Sequence, residues 1–219
     1  MNIAIDGPAG AGKSTIARLA AKELGFIYVD TGAMYRALAL YLLDSHTNVD
    51  DDAELRSSLE NVHINIVYEA GVQHVFVDLQ DVSTEIRSEK VGNMASTTSA
   101  LAPVREKLLD LQRDIAKKND VIMDGRDIGT NILPDAELKI YLTASVDVRA
   151  KRRYDELVLH GEAPDLETIK KGIETRDYQD MNRALSPLKQ AEDAILIDSS
   201  DMSIEEVVNK IVDLANNIK

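Results

Sequence analysis

The sequence contains no cysteine and no long apolar run, and both absences narrow what the protein can be. Without cysteine it has no disulfide and no thiolate metal site, which fits a reducing cytoplasm. The longest apolar stretch, residues 37–43, is far shorter than the roughly 18 residues that a membrane span needs. Because the N-terminal MNIAIDG leads directly into an apolar strand pattern, we expect no signal peptide. We therefore expect a cytoplasmic protein without a membrane as partner.

Positive charge is also scarce in this chain. There are 25 Lys and Arg residues against 38 Asp and Glu residues, and the net charge is −13. Because such an acidic chain repels nucleic acids at long range, we expect no nucleic acid polymer as a partner. A nucleotide site would have to bring its few arginines together locally. With 219 residues, 44% of them hydrophobic, the chain is long enough for one domain over 1–219, which we expect to be a monomer.

What the sequence does contain is a phosphate-binding loop. Residues 7–14, GPAGAGKS, match the pattern G-x-x-x-x-G-K-[ST] and lie between an apolar strand pattern and a helical pattern. In that context backbone N–H groups and the helix N-terminus converge on phosphate oxygens. The alternative, a glycine-rich turn with an unrelated lysine, leaves the flanking strand and helix unexplained.

The loop predicts how a nucleoside triphosphate binds. We expect Lys13 to reach the β- and γ-phosphates and the hydroxyl of Ser14 to be a ligand of Mg²⁺. The predicted triphosphate-binding residues are Gly7, Pro8, Ala9, Gly10, Ala11, Gly12, Lys13, Ser14 and Thr15.

Short apolar strands alternate with helical patterns through most of the chain. The predicted strands are 2–6, 26–29, 120–124, 138–143 and 194–198, and the predicted helices include 13–24, 33–44 and 103–117. This alternation is typical of an α/β fold with a doubly wound parallel sheet and helices on both faces. On the first helix we expect Ile16, Leu19, Ala20 and Leu24 to form the apolar face, and Thr31 to cap the second helix.

Two segments depart from this alternation. Residues 62–68 and 73–79 alternate apolar and polar side chains around a turn at 69–71, which predicts an antiparallel hairpin within an inserted β lobe at about 62–92. A charged helical pattern at 147–159 is interrupted at 160–164 and followed by a second helical pattern. We expect this region to form a short helical lid at about 147–165.

The carboxyl ends of the strands are where a doubly wound sheet binds its ligands. Arg36 lies just over one turn after Thr31 at the end of the second strand, and Arg126 and Asp127 follow the strand at 121–124. An apolar strand that ends in Asp124 resembles a Walker B strand, so this carboxylate is a candidate for the water shell of the metal. A helix or turn cap is the alternative for Asp124.

Arginine is the residue expected at phosphate groups, because its planar guanidinium donates two parallel hydrogen bonds. Arg36 and Arg126 are the strongest candidates, since both lie at strand ends. Three further groups are Arg105 on the helix after Pro103, the set Arg176, Asp180 and Arg183 on one helical face, and Arg149, Arg152 and Arg153 in the predicted lid. Arg105 and the lid arginines could instead lie on a solvated surface. Arg176 and Asp180 could instead form an i,i+4 salt bridge.

Five segments in this order resemble the bacterial cytidylate kinase family: GPAGAGKS, DTGAMYRALA, VSTEIR, DGRDIGT and RDYQDMNRALSPL. The resemblance extends over nearly the whole chain and includes the hairpin lobe. It implies Mg²⁺-assisted in-line transfer of the ATP γ-phosphoryl group to CMP or dCMP, giving ADP and CDP or dCDP. The attacking phosphate oxygen is already ionised near neutral pH, so no general base is needed and the protein positions groups and neutralises charge.

The resemblance also implies a set of site residues. Arginines matching Arg36 and Arg126 hold the acceptor phosphate, and an arginine matching Arg183 approaches the phosphates. The expected catalytic residues are thus Lys13, Arg126 and Arg183. Residues matching Ser96, Arg105 and Asp127 recognise the base, residues matching Arg176 and Asp180 hold the sugar, Thr31 replaces a common serine of the substrate site, and Arg149 and Arg153 are expected near ATP.

The implied base site makes chemical sense. A carboxylate and a hydroxyl accept from the N4 amino group of cytosine, and an arginine donates to N3 and O2. Uracil would place its O4 acceptor against the carboxylate, an arrangement that rejects it. One departure from the family is Gln179, where some members carry a basic residue near the sugar.

Three other functions remain open from the sequence. A shikimate- or gluconate-type kinase would share the scaffold but would not need the hairpin lobe or the base-recognising residues, and UMP or AMP could be the acceptor. A nucleotide-dependent switch would need a guanine-binding [NT]-K-x-D motif. The nearest string, residues 209–213, has one residue too many and lies in the amphipathic last helix.

Overall fold

A parallel sheet of five strands forms the centre of the computed structural model, which describes residues 1–218. The strand order is β2-β6-β1-β7-β8, and all neighbours are parallel. The strands are β1 (Asn2–Asp6), β2 (Ile27–Asp30), β6 (Val121–Gly125), β7 (Leu138–Thr143) and β8 (Ile195–Asp198). The α/β class and the doubly wound parallel sheet are confirmed.

Helices cover both faces of this sheet. They are α1 (Lys13–Leu24), α2 (Thr31–Asp44), α3 (Asp52–Asn61), α4 (Glu89–Thr98), α5 (Ala102–Lys118), α6 (Val146–Leu159), α7 (Leu166–Asn182) and α8 (Ile204–Asn216). On one face α1 and α8 pack on the sheet through buried side chains such as Ile16 and Ile211. On the other, α2 and α5 pack on it through Leu38 and Leu108. Within residues 1–218, no helix combines the length and the apolar character needed to cross a membrane.

A second, antiparallel sheet consists of β3 (Ile64–Glu69), β4 (Val72–Val77) and β5 (Gln80–Asp81). Ala70 and Gly71 form the two-residue turn between β3 and β4, and both have positive φ (49° and 78°), as the twist of a tight hairpin requires. Val75 packs with Ala33 and Ala37, so this sheet lies against α2. The hairpin was predicted, whereas β5 was not, because two residues are too few to produce an alternating pattern.

Two predictions about side chains were wrong. Leu19 is 38% exposed, and Ala17 and Ala21 are buried instead, because small side chains let α1 lie close to the sheet. Thr31 does not cap α2: Asp30 does, its Oδ1 accepting from the N–H of Ala33 at 2.8 Å, and α2 begins at Thr31.

The remaining differences concern helix boundaries and missed helices. Arg183 follows α7 as its C-cap and is not within the helix, and Pro103 is the second residue of α5. Helices α3 and α4 were not predicted from the sequence. Both have ten residues and bury only two or three side chains each, so their apolar pattern is weak.

Candidate functional site

A cavity of about 760 Å³ lies at the carboxyl ends of the strands of the parallel sheet. It brings together nearly all residues that the sequence singled out. The lining includes Ala9, Gly10, Ala11, Gly12, Lys13, Ser14, Thr15, Thr31, Arg36, Ser96, Arg105, Asp124, Arg126, Asp127, Arg149, Arg153, Arg176, Asp180 and Arg183. Gly7 and Pro8 belong to the same loop and are buried beneath it.

The phosphate-binding loop connects β1 to α1 at one end of this cavity. A Cβ atom on Gly7 would lie 1.9 Å from the carbonyl oxygen of Leu142, so the loop crosses β7 closer than any side chain permits. Gly10 and Gly12 have φ of 76° and 87°, which favours glycine. Gly12 caps α1 without a side-chain hydrogen bond. The helix N-terminus therefore has backbone N–H groups available for an anion.

Lys13 is the buried cation of the phosphate-binding loop. It is 6% exposed, and its Nζ donates to the carbonyl oxygen of Pro8 at 2.8 Å. Burial lowers the pKa of Lys13 to about 7, and the positive charge of Arg126 acts in the same direction. An anion placed here would therefore favour the charged form of the lysine.

Asp124 at the end of β6 lies beside the first turn of α1. Its carboxylate accepts from the hydroxyls of Ser14 and Tyr28, each at 2.9 Å. Both donors are side chains, which is not the geometry of a helix or turn cap. Burial raises the pKa of Asp124 to about 6, with Asp30 acting in the same direction and Lys13 opposing.

The adjoining oxygens of Ser14 and Asp124 are of the kind that Mg²⁺ prefers. Over the described residues 1–218, no group of three or more His, Cys, Asp or Glu side chains could hold a metal ion. This donor set fits Mg²⁺, which in nucleotide enzymes takes one or two protein oxygens and completes its shell with phosphates and water.

Arginine–carboxylate pairs form the opposite end of the cavity. Arg105 pairs with Asp127, and Arg126 Nε pairs with an Asp180 oxygen at 2.8 Å. Arg183 joins the two pairs, because its Nη2 lies 3.4 Å from Asp127 and its Nη1 lies 4.0 Å from Asp180. Asp127 and Asp180 are only 3% and 6% exposed. Removing either partner of such a pair would leave the other as an uncompensated buried charge.

Three other predicted residues border these pairs. Arg36 Nη2 lies 3.3 Å from Asp30, and Ser96 lies on α4 and lines the cavity. Arg176 does not form the intrahelical bridge considered from the sequence, since Asp180 pairs with Arg126 instead. The Nε of Arg176 is buried without a hydrogen-bond partner, and burial lowers the pKa of this arginine.

The arginines of α6 have different surroundings. Arg149 is 4% exposed, donates to the carbonyl oxygens of Ala144 and Ala9, and pairs with Asp177 at 2.7 Å. It thereby fastens the phosphate-binding loop to α6 and α7. Arg153 is largely solvated and pairs with Glu156 at 2.8 Å.

Sequence reasoning missed several residues of this region. Tyr28 and Asp30 contact predicted residues, and their position at the end of an apolar strand was the only signal. Asp6 ends β1 in the same way as Asp124 ends β6, and it accepts from the N–H groups of Ile128 and Gly129 at 2.8 Å each. These bonds fix the segment that follows Asp127, and burial raises the pKa of Asp6 to about 6.

Comparisons with known proteins agree on one family. The cytidylate kinase family model matches residues 3–217. The cytidylate kinase of Caldicellulosiruptor saccharolyticus is 52% identical over 214 residues, covering 98% of this chain and 95% of that protein. The cytidylate kinase of Leuconostoc mesenteroides is 50% identical over 98% of this chain and 96% of its own length.

A solved shikimate kinase from Bacteroides thetaiotaomicron has the same fold, with a TM-score of 0.51, 15% identity and coverage of 99% of this chain and 98% of its own. This likeness concerns the fold alone. The family model and the two relatives cover nearly the whole sequence, including both ends of the cavity. The chain belongs to the cytidylate kinase family.

Proposed function

We propose that this protein transfers the γ-phosphoryl group of ATP to CMP or dCMP, giving ADP and CDP or dCDP. One observation carries the proposal: in a member of this family, a single cavity has the phosphate-binding loop at one end and the Arg105–Asp127 pair at the other. A donor and an acceptor nucleotide can thus bind side by side in one cavity.

At the donor end, the loop of residues 7–15 and Lys13 hold the triphosphate. Ser14 and Asp124 would hold Mg²⁺, which when bound neutralises phosphate charge. Arg153 lines the cavity, and we assign it to the donor. Arg149 acts on ATP indirectly, because its hydrogen bonds shape the loop.

At the acceptor end, Arg36 and Arg126 hold the acceptor phosphate. Arg183, Arg126 and Lys13 neutralise charge as the phosphoryl group moves between the two phosphates. The acceptor oxygen is ionised near neutral pH, so the side chains align it and withdraw no proton. Since Arg126 and Arg183 are already held by buried carboxylates, little ordering is left for the moment of binding.

The base and the sugar are recognised beyond the acceptor phosphate. Ser96 and Asp127 accept from the cytosine amino group, and Arg105 donates to the ring acceptors. Arg176 and Asp180, which both line the cavity, hold the sugar. Thr31 contributes to the acceptor site mainly through the backbone, since its hydroxyl donates to the carbonyl oxygen of Asp124 at 2.7 Å.

Closure would protect the reaction from water. We infer that the inserted lobe at about 62–92 and a lid at about 147–165 close over both nucleotides, because an open site would hydrolyse ATP. A monomeric state, a cytoplasmic location and the absence of nucleic acid partners stay predictions from the sequence.

The test is steady-state ADP production from Mg·ATP with CMP, dCMP, UMP, AMP, GMP, shikimate and gluconate offered separately. We expect strong turnover with CMP and dCMP, at least a hundredfold less with UMP, and little ATP hydrolysis without an acceptor. Turnover with shikimate or gluconate and none with CMP would overturn the proposal, as would rapid hydrolysis of ATP that no acceptor accelerates.

A further inference from the structure

At Asp30, a side chain of the inserted sheet covers the outer edge of β2. β2 is an edge strand of the parallel sheet, and an edge strand leaves one row of backbone groups without a strand partner. Asp30 N–H donates to Gln73 Oε1 at 2.9 Å, and Gln73 Nε2 donates to the carbonyl oxygen of Asp30 at 3.2 Å. One side-chain amide thus satisfies both backbone groups of Asp30, as a neighbouring strand would.

The side chain of Asp30 links this junction to the acceptor end of the cavity. Its Oδ1 caps α2 at Ala33, and its Oδ2 lies 3.3 Å from Arg36 and 3.6 Å from Arg87. Asp30 is 8% exposed, so its carboxylate direction is set by these partners and by its own backbone. Whatever holds the Asp30 backbone therefore also sets where Arg36 is held.

The junction is partly buried. Tyr68 is the cross-strand partner of Gln73 in the hairpin, and its buried hydroxyl has no hydrogen-bond partner. Burial raises the pKa of Tyr68, and the nearby charge of Asp30 acts in the same direction. Tyr68 thus supplies packing at this contact, while the Gln73 amide supplies the hydrogen bonds to the Asp30 backbone.

We propose that Gln73 is a positioning residue of the acceptor site: it joins the inserted sheet to β2 and, through Asp30, fixes Arg36. This inference rests on the proposed function, since it assigns Arg36 to the acceptor phosphate. The inference predicts different effects on the two substrates. Gln73 reaches the acceptor end through Asp30, whereas the phosphate-binding loop and Lys13 are held by other contacts.

The test compares variants of Gln73 with a matched variant in the same sheet. Gln73→Met keeps nearly the same volume and removes both hydrogen bonds, whereas Gln80→Met changes an exposed glutamine of β5. We expect Gln73→Met to raise the KM for CMP about tenfold and to leave the KM for ATP within about twofold of wild type. Gln80→Met should change neither value. Calorimetric titration with CMP alone should show the same loss of affinity.

If the contact of Gln73 were merely structural, Gln73→Met would lower the melting temperature without changing the KM for CMP more than the KM for ATP. An equal KM for CMP in Gln73→Met and Gln80→Met, or an equal rise for CMP and ATP, would overturn the inference. Should Gln73→Met fail to fold, the KM values of Gln73→Glu are compared with those of Gln80→Met instead. Gln73→Glu retains an acceptor for Asp30 N–H but places a carboxylate against the Asp30 carbonyl. Failure of the proposed function would appear already in the wild-type protein, which would then not phosphorylate CMP.

Discussion

The two ends of the cavity are built in different ways. At the donor end, the phosphate-binding loop is one run of consecutive residues, and its glycines and helix N-terminus present backbone groups. The acceptor end consists of side chains from α2, α4, α5, α7 and the segment after β6. At the donor end Lys13 is held by a carbonyl oxygen of its own loop, whereas at the acceptor end arginines are held by carboxylates from distant segments.

This difference separates general phosphate binding from substrate choice. A backbone loop accepts any triphosphate of the right length, so it says little about the second substrate. Paired arginines and carboxylates present a defined pattern of donors and acceptors, and they therefore discriminate. A fold shared with a shikimate kinase at 15% identity is consistent with this division, since the fold alone does not specify the acceptor.

The largest effect is expected from breaking the donor end. Lys13→Met should lower kcat by about 10³-fold, because it removes the one buried cation of the loop from the transferring phosphoryl group. Lys22→Met, an exposed change at the end of the same helix, is the control and should leave kcat unchanged. ADP production at saturating CMP and ATP measures both. A decrease of less than tenfold in Lys13→Met would contradict the role given to Lys13.

Breaking the acceptor end should weaken the binding of one substrate only. Arg126→Met should lower kcat/KM for CMP by about 10²-fold while the KM for ATP stays near that of wild type. It also leaves Asp180 with Arg183 alone, at 4.0 Å, so the melting temperature should fall. Initial rates measured with each substrate varied in turn give these constants. The exposed Arg18→Met is the control. An equal rise in the KM for ATP and the KM for CMP would mean that the two ends are not independent.

The loop geometry itself can be tested by stability. Gly7→Ala should lower the free energy of unfolding by about 1–3 kcal/mol, because its Cβ would collide with the Leu142 carbonyl oxygen at 1.9 Å. Gly172→Ala, in the middle of α7 with nothing within 4 Å, should instead raise it by about 0.5–1 kcal/mol. Urea unfolding measures both variants. A Gly7→Ala protein as stable as wild type would show that the loop does not need this close approach.

The smallest expected effect is a proton taken up with ATP. Burial lowers the pKa of Lys13 to about 7 in the free protein, so the lysine is mostly neutral at pH 8. A bound triphosphate favours the charged lysine and raises this pKa again. ATP binding should therefore take up protons at pH 8 and weaken as the pH rises above 7.

Calorimetry in buffers of different ionisation enthalpy measures this uptake. Lys13→Met serves as its control and should show none. At pH 8 Asp124, with a pKa raised to about 6, is already ionised and does not contribute. Equal uptake by the wild type and Lys13→Met would assign the proton to another group.

The difference between the two ends of the cavity also explains which features could be predicted from the sequence. The loop of residues 7–14 and the parallel strands follow from contiguous patterns, and both are present in the structure. The acceptor arginines were chosen by their place at strand ends and by resemblance, and the cavity contains them. Their partners were not predictable, because a pair such as Arg126 and Asp180 joins segments 54 residues apart.

Two residues show why local patterns fall short. Arg149 lies in a charged helical pattern that favours a solvated surface, yet it is buried between the loop and α7 because Ala9 and Asp177 accept from it. Gln73 occupies a polar position of an alternating strand, and nothing near it in the sequence indicates that it covers the edge of β2. In both cases the deciding partner lies in another element.

Selection of cytosine is tested most directly by the ratio of kcat/KM for CMP to that for UMP, in the wild type and in Asp127→Asn. We predict a wild-type ratio of at least about a hundredfold, because the buried Asp127 carboxylate would face the O4 acceptor of uracil. In Asp127→Asn the ratio should fall at least tenfold, since an amide donates to O4 as readily as it accepts from the cytosine amino group. A wild-type protein that uses CMP and UMP equally, or a ratio that Asp127→Asn leaves unchanged, would contradict the central claim that this end of the cavity selects cytosine.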